Sequence, residues 1–525
     1  MSHEHLHERA ANGGTVRVSR HDRLQADIKV SCNVREVIQE AVSFELDVWL
    51  HLPGDLGIGP NRTPAEGLYQ DLRVRSRLRT PIVRLEDLAD PQGRNSPLAA
   101  LNLLCDAPDL GPTWCRDVRR EARLVARVLR SAGRRVLAAC QPGSPHLPTL
   151  LPILLRALEQ TGPRFRELNA RLTRGRIDAD TALCLESTDE YLSLQTELLA
   201  TRALALMDSL GTNGELRAGF VAVARREDAL RRDNGWRSRM PDPARKESEE
   251  AFLDQASTLK LFVERVLYLR QIPSRVQKVA HNTILGLAAA LAMAWAVGLQ
   301  VFALYSLGLD LSKGAGTSIV VAFSTIAVLG YILKDRIKAW SAEVLARQLP
   351  RFLDDRGAAL AWGIDRTILG RATERLAYET AADLDPEVKR RHLAALGSRL
   401  PTELHDDILH YRRRLVLMPR VALSVFPPFV GINESMRLNL SRWVRTLDDP
   451  KRSIVALDEH DRPVTRKLPH RTSMPVITRL RWKAEQGRWQ EQWGVHRILL
   501  TQRGITRVDC LDGSDTLETF DDFDD

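Results

Sequence analysis

Glu403, His405, Asp406, Asp407 and His410 crowd one short stretch of this chain. On a helix, Asp406 and His410 share a face at i and i+4, the spacing of an acid–base pair or of two metal ligands. The plainer expectation is a solvated helix face. His3, His5 and His7 alternate near the start, where a tail without fixed geometry is expected rather than a metal site. Trp482, Trp489 and Trp493 interleave with Arg479, Arg481, Lys483 and Arg488. That mixture can stack on single-stranded bases, or it can be core tryptophans with a basic rim. The loop carrying Gly54, Gly57, Gly59 and Pro60 has the look of a phosphate cradle but lacks the Gly-Lys-Ser/Thr that would complete one. There is no Gly-x-x-x-x-Gly-Lys-Ser/Thr, no His-Glu-x-x-His and no Gly-x-Ser-x-Gly. The sequence therefore assigns no catalytic residue, cofactor or metal, and the expectation leans away from an enzyme.

The elements around these residues say more. Thr283 to Leu309 and Gly314 to Leu333 are free of charge, separated by Asp310, Leu311, Ser312 and Lys313. As helices at about 1.5 Å per residue, each can cross a hydrocarbon core of about 30 Å. Neither shows the polar stripe of a water-soluble core helix. Arg265, Arg270, Arg275 and Lys278 precede the first stretch, and Lys334, Arg336 and Lys338 follow the second. The positive-inside rule then places both flanks in the cytoplasm. Tyr331 and Trp340 fall at the expected interface, where aromatic side chains anchor. In the first stretch Gly286, Ala290, Ala294 and Gly298 recur every four residues, a face another helix can approach closely. The second stretch is expected to supply that helix through Ser318, Ala322, Thr325 and Gly330, with a second copy of the chain as the alternative. No Asp, Glu, Lys, Arg or His lies within either stretch, which argues against a proton relay.

Composition agrees with a membrane-anchored soluble mass. The 525 residues carry a net charge of +9 with 27% charged residues. Of the basic residues 65 are Arg and 11 are Lys, a bias that fits either codon usage or phosphate binding. The cysteines Cys32, Cys105, Cys115, Cys140, Cys184 and Cys510 form neither a zinc pattern nor a disulfide framework, as in a reducing compartment. No apolar run near the start suggests a cleavable leader.

The fold class expected is an α+β membrane protein: a two-helix transmembrane hairpin between two cytosolic arms, each mixing a β-rich module with helices. The expected parts are a disordered 1–13, a β-rich 14–105, and a helical 106–250 ending in a charged linker over Arg225–Glu250. An amphipathic pre-membrane helix (251–281), the hairpin (282–334) and a helical 335–400 follow. A basic β-rich 401–508 and an acidic disordered 509–525 complete the chain. Strands are expected at Thr15–Arg20, Asp27–Cys32, Phe44–Leu52, Leu72–Leu78, Ile82–Leu85, Arg414–Leu417, Ser453–Leu457 and His496–Leu500, with a hairpin turn at Gln502-Arg503-Gly504.

The functional expectation is an anchor, scaffold or sensor of a bacterial inner membrane, both termini cytoplasmic. Its partners would be the lipid bilayer with its anionic headgroups and either further copies of itself, as a homo-oligomer, or a cytosolic protein; nucleic acid is the weaker option. An oligomeric pore is the alternative, and an enzyme with an unrecognised site is the third.

Overall fold

The computed structural model describes residues 13–512 apart from 35–40, 240–245, 307–316, 349–353, 397–406, 484–487 and a few shorter loop positions. The alternating runs read from the sequence become strands: β1 (Gly14–Arg20), β2 (Gln25–Asn33), β3 (Val42–Leu52) and β4 (Leu72–Arg79) in the first part of the chain. Far later come β5 (Arg270–Pro273), β6 (Arg356–Trp362), β7 (Thr367–Glu379), β8 (Asp407–Leu417) and β9 (Gly431–Asn439). The last five are β10 (Lys451–Leu457), β11 (Pro463–Pro469), β12 (Thr472–Lys483), β13 (Trp489–Thr501) and β14 (Gly504–Cys510).

The first and last parts of the chain are one β body. A four-stranded sheet runs β1-β2-β9-β4, and an eight-stranded sheet runs β14-β13-β12-β3-β8-β7-β6-β5. Thus β2 and β4 both pair with β9, and β3 lies between β12 and β8. The β-rich modules expected as separate parts, 14–105 and 401–508, are corrected accordingly. The physical reason is that an amphipathic sheet must cover its apolar face, and each half of the chain supplies strands that the other half lacks. Phe44, Leu46, Val48 and Leu50 of β3 meet Ile28 and Val30 of β2 and Ile432 and Met436 of β9 in a single apolar core. The two sheets are joined along one edge by residues 267–273. Leu78 donates to Leu267, Leu269 donates to Ser76, and the same chain then continues as β5 against β6.

Two insertions interrupt this body. Between β4 and β5 lies a bundle of α1 (Pro97–Asp106), α2 (Pro112–Ala139), α3 (Leu147–Arg174), α4 (Ala179–Ser209), α5 (Glu215–Asp233) and α6 (Lys246–Glu264). It has its own apolar core, including Val118, Leu129, Leu158, Phe165 and Leu192. Asp178 caps α4 by accepting from the Thr181 amide at 2.6 Å. Between β5 and β6 lie α7 (Val276–Ser306) and α8 (Thr317–Gln348), packed against one another.

Four further expectations change. The helix expected over 251–281 ends at Glu264, and Arg270–Pro273 form β5 because that segment pairs with β6. The charged linker over Arg225–Glu250 is largely helical: its first residues complete α5 and its last begin α6. Two of its charges are fully buried and paired, Glu227 with Arg166 and Arg231 with Glu197. The helical region 335–400 holds β6 and β7 between α8 and a short α9 (Pro386–Leu396), because pairing of β6 with β5 and β7, and of β7 with β8, overrides the helix propensity of their alanines, arginines and glutamates. Ile82–Leu85 is not a strand; Leu85 opens a one-turn helix. The Gln502–Gly504 turn is present, with Thr501 opposite Gly504.

Candidate functional site

The helical pair is the largest feature without a partner. α7 has 31 residues and α8 has 32, each about 46–48 Å long at 1.5 Å per residue. Among the described residues Asn282–Phe302 is the one helix long and apolar enough to cross a membrane, and only 17% of it is buried. The expected second span, Gly314 to Leu333, begins outside the described residues, as does the loop Asp310–Lys313. Exposed apolar side chains nevertheless cover both helices, among them Leu291, Trp295, Phe302, Val328, Ile332 and Leu333. Soluble surfaces rarely carry an apolar patch of this extent. The hydroxyls of Thr283 and Thr325 donate to the carbonyls of Val279 and Val321, each at 2.9 Å, so both are satisfied within their own helices.

The small-residue stripe lies elsewhere than expected. Gly286, Ala290, Ala294 and Gly298 are exposed, and nothing lies within 4 Å of a Cβ placed at Gly286 or Gly298. Ile284, Ala288 and Ala292 are the buried residues of α7. Gly330 is buried, and a Cβ there would stand 3.0 Å from Leu299, so it does admit the first helix. A helix has more than one face of small residues here, and the contact uses the alanine face rather than the glycine face. The side chain of Ala322 lies outside the described residues, as do Arg275 and the side chain of Lys278. Of the expected interface residues, Tyr331, Arg336, Lys338 and Trp340 are exposed, and the Lys334 ammonium sits 4.2 Å from the Tyr331 ring centroid.

The acidic and histidine cluster resolves differently. Glu403, His405 and Asp406 lie outside the described residues, and His410 is in a strand, not on a helix. Its ring is clamped: Nδ1 is 2.6 Å from Glu379 Oε1 and Nε2 is 2.9 Å from Asp47 Oδ1. Burial alone would lower the His410 pKa, but the hydrogen bonds and charges of Asp47 and Glu379 raise it above the ordinary value. Asp47 is fully buried and also accepts from Arg412 Nε at 2.8 Å and Arg479 Nη2 at 2.9 Å. Burial would push Asp47 up; His410 and Arg412 instead hold it well below the usual carboxylate range. Trp49 stacks on His410 with centroids 4.7 Å apart, and its Nε1 donates to Glu379 Oε2 at 3.2 Å.

This arrangement occupies the outer face of the eight-stranded sheet and ties β3, β7, β8 and β12 together. Both ring nitrogens of His410 are engaged by carboxylates, which describes a structural clamp rather than a base facing a substrate. The tryptophans do not form one platform. Arg479, Arg481 and Lys483 share the outer face with Trp489 and Trp493, whereas Trp482 packs toward the inner core. Arg479 is matched by Asp47 and Arg481 by Glu45, at 2.9 and 2.6 Å, so these cations are already satisfied. Next to this network His51 on β3 and His392 on α9 stack with centroids 3.5 Å apart, seating α9 on the sheet. Burial drops their pKa values to about 2 and about 4, the His392 charge adding to the effect at His51.

Sequence reasoning missed Asp47, Trp49 and the histidine stack because their partners are hundreds of residues away, and Glu379 because it meets His410 from a neighbouring strand that the sequence reads as helix. The one local signal was acids at Glu45 and Asp47 inside a mostly apolar strand. Among the described residues no group of three or more His, Cys, Asp or Glu is placed to hold a metal ion. Comparison with protein-family models, with curated proteins and with solved structures gave no match.

Proposed function

We propose that this protein is an integral membrane anchor whose α7–α8 hairpin holds a single β body and its helical bundle on one face of a bilayer, the cytosolic face of a bacterial inner membrane, as a scaffold or sensor. The observation that carries this reading is the pairing of β5 with β6, register Pro273 to Ala358, with the Ser274 amide donating to the Gly357 carbonyl at 2.7 Å. The chain leaves the β body at β5 and re-enters the same sheet at β6. One crossing would put these neighbouring strands on opposite sides of the membrane, so an apolar α7 that crosses requires α8 to return. The exposed apolar surface of both helices supplies the reason to enter lipid, and the fully satisfied His410 clamp supplies no catalytic group. Alkaline carbonate extraction tests the reading: the full chain stays in the membrane pellet, and release to the supernatant contradicts it.

A second reading, a homo-oligomer whose hairpins assemble into a pore, is favoured by one observation. Gly286, Ala290, Ala294 and Gly298 face away from α8 and leave room for another helix. Ion flux from liposomes holding the purified chain, abolished by Gly298→Leu, would support it.

A further inference from the structure

The outer face of the four-stranded sheet is cationic for a reason visible in the sequence. β4 reads Leu-Arg-Val-Arg-Ser-Arg-Leu-Arg, and strand alternation sends Leu72, Val74, Ser76 and Leu78 inward and Arg73, Arg75 and Arg77 outward. Same-face residues on one strand stand about 6.6–6.8 Å apart. The ladder extends these arginines into rows across three strands: Asp27, Arg437 and Arg73; Lys29, Ser435 and Arg75; Ser31, Asn433 and Arg77. Arg73 therefore lies directly opposite Arg437, a like-charge placement that weakens a sheet unless something compensates. Asp27 compensates Arg437, at 2.8 Å. Arg73 and Arg75 are exposed and make no ion pair among the described residues.

These side chains line a cavity of about 280 Å³, together with His21, Asp22, Gln25 and Tyr268. Four guanidinium groups face two carboxylates there. The surplus of two positive charges matches a phosphate monoester, which carries about −1.5 to −2 at neutral pH. Guanidinium forks are suited to phosphate oxygens, and Ser435, Tyr268 and Gln25 add neutral polar groups beside them. The cavity also has a definite place in the architecture. Tyr268 bridges to Arg77, and Gln271 Nε2 donates to the Val74 carbonyl at 3.3 Å, so the chain runs along β4 toward Arg73 as it heads for α7. Only a few residues separate the level of Arg73 from the start of the hairpin.

We infer that the cavity lined by Arg73, Arg75, Arg77 and Arg437 is a binding site for a phosphate-bearing anion, presented by a lipid headgroup or by a soluble phosphate compound. The site gives the anchor or sensor reading a ligand, yet its chemistry does not depend on whether the hairpin crosses a bilayer.

The test uses the full chain in two arms. In detergent, inorganic pyrophosphate is titrated calorimetrically. In phosphatidylcholine nanodiscs containing a few per cent phosphatidic acid, native mass spectrometry counts retained acidic lipid. The comparison is the double variant Arg73→Gln/Arg75→Gln, which breaks no ion pair among the described residues and should melt like the parent. Saturable binding in either arm, weakened about tenfold or more by the double variant, is the expected result, since two charge-assisted contacts to the anion are lost. The arm that responds identifies the source. No saturable binding in both arms, or equal binding by parent and variant, overturns the inference. Failure of the anchor reading would instead show in membrane extraction, leaving the detergent arm intact.

Discussion

Pro273 and Ala358 are partners in one antiparallel ladder although the whole of α7 and α8 lies between them in the chain. This single register converts a question about two helices into one about topology. Whatever the hairpin enters, it enters and leaves from the same side.

Asp47 on β3 is the shared acceptor for His410 and Arg412 of β8 and Arg479 of β12, the strands on either side of it. Removing it leaves Arg479 and Arg412 without their nearest carboxylate and leaves the buried His410 ring with Glu379 alone. Asp47→Ala should lower stability by about 3–5 kcal/mol, the cost of breaking one member of a buried ionic network. Urea unfolding of the detergent-solubilised chain measures this. A change under 1 kcal/mol would mean that water reaches the site and solvates the arginines.

Glu227 makes the corresponding prediction in the helical bundle. It is fully buried and holds Arg166 at 2.6 Å and Arg226 at 3.0 Å. Nearby Asp189 is pushed up to about 6 by burial, partly offset by Arg166. Glu227→Ala should destabilise the bundle by about 3 kcal/mol or more, read as faster amide exchange in α3 and α5 with β-body exchange unchanged. Uniform loss of protection in both parts would show that bundle and β body unfold as one unit.

The stacked His51 and His392 make α9 sensitive to acid. Their pKa values in the folded chain, about 2 and about 4, lie below the ordinary 6.5. A depressed histidine is neutral when folded, so its stabilisation is complete above pH 6.5. As pH falls below that, the unfolded state takes up protons that the folded state refuses. Two such groups cost about 2.7 kcal/mol per pH unit between about pH 6 and the higher folded value. His410, with its raised pKa, acts in the opposite sense: its contribution is full below 6.5 and is lost as pH rises through the folded value. The chain should therefore be less stable at pH 5 than at pH 7 by a margin that His51→Phe shrinks. An unchanged margin in that variant would remove the stack from the explanation.

The two glycines of the hairpin should behave oppositely. A side chain at Gly330 meets Leu299, whereas one at Gly298 meets nothing. Gly330→Leu should loosen the hairpin by about 1–3 kcal/mol through overpacking, while Gly298→Leu leaves the isolated hairpin intact. Cross-linking within one chain between α7 and α8 distinguishes the two. Equal loss in both variants would place the glycine stripe back at the α7–α8 contact.

What could be read from the residues, and what could not, follows from the range of the forces involved. Thr15–Arg20, Asp27–Cys32 and Phe44–Leu52 announce strands through local alternation, and Cys115–Leu137 announces a helix through its spacing of three and four. Neither signal carries the identity of a distant partner, so β2 against β9 and β3 against β12 were invisible. Thr367–Glu379 contains Arg-Ala-Thr-Glu-Arg-Leu-Ala, a run with helical propensity that the β6 and β8 ladders overrule. Arg225–Glu250 looked like a solvated linker because charge usually means exposure; here Glu227 and Arg231 are buried in pairs. The same limit hid the clamp at His410, whose carboxylates come from β3 and β7.

The most direct test of the central claim is labelling of intact cells with a membrane-impermeant maleimide. Asp310→Cys puts a thiol in the segment of chain between α7 and α8, while the half-buried native Cys105 and Cys510 report on the bundle and the β body. The account predicts that Asp310→Cys is labelled in intact cells and that the parent chain is labelled only after the membrane is opened. Labelling of the parent chain in intact cells, or an Asp310→Cys protected until the membrane is opened, would contradict a hairpin that crosses the bilayer and returns to a single cytosolic body.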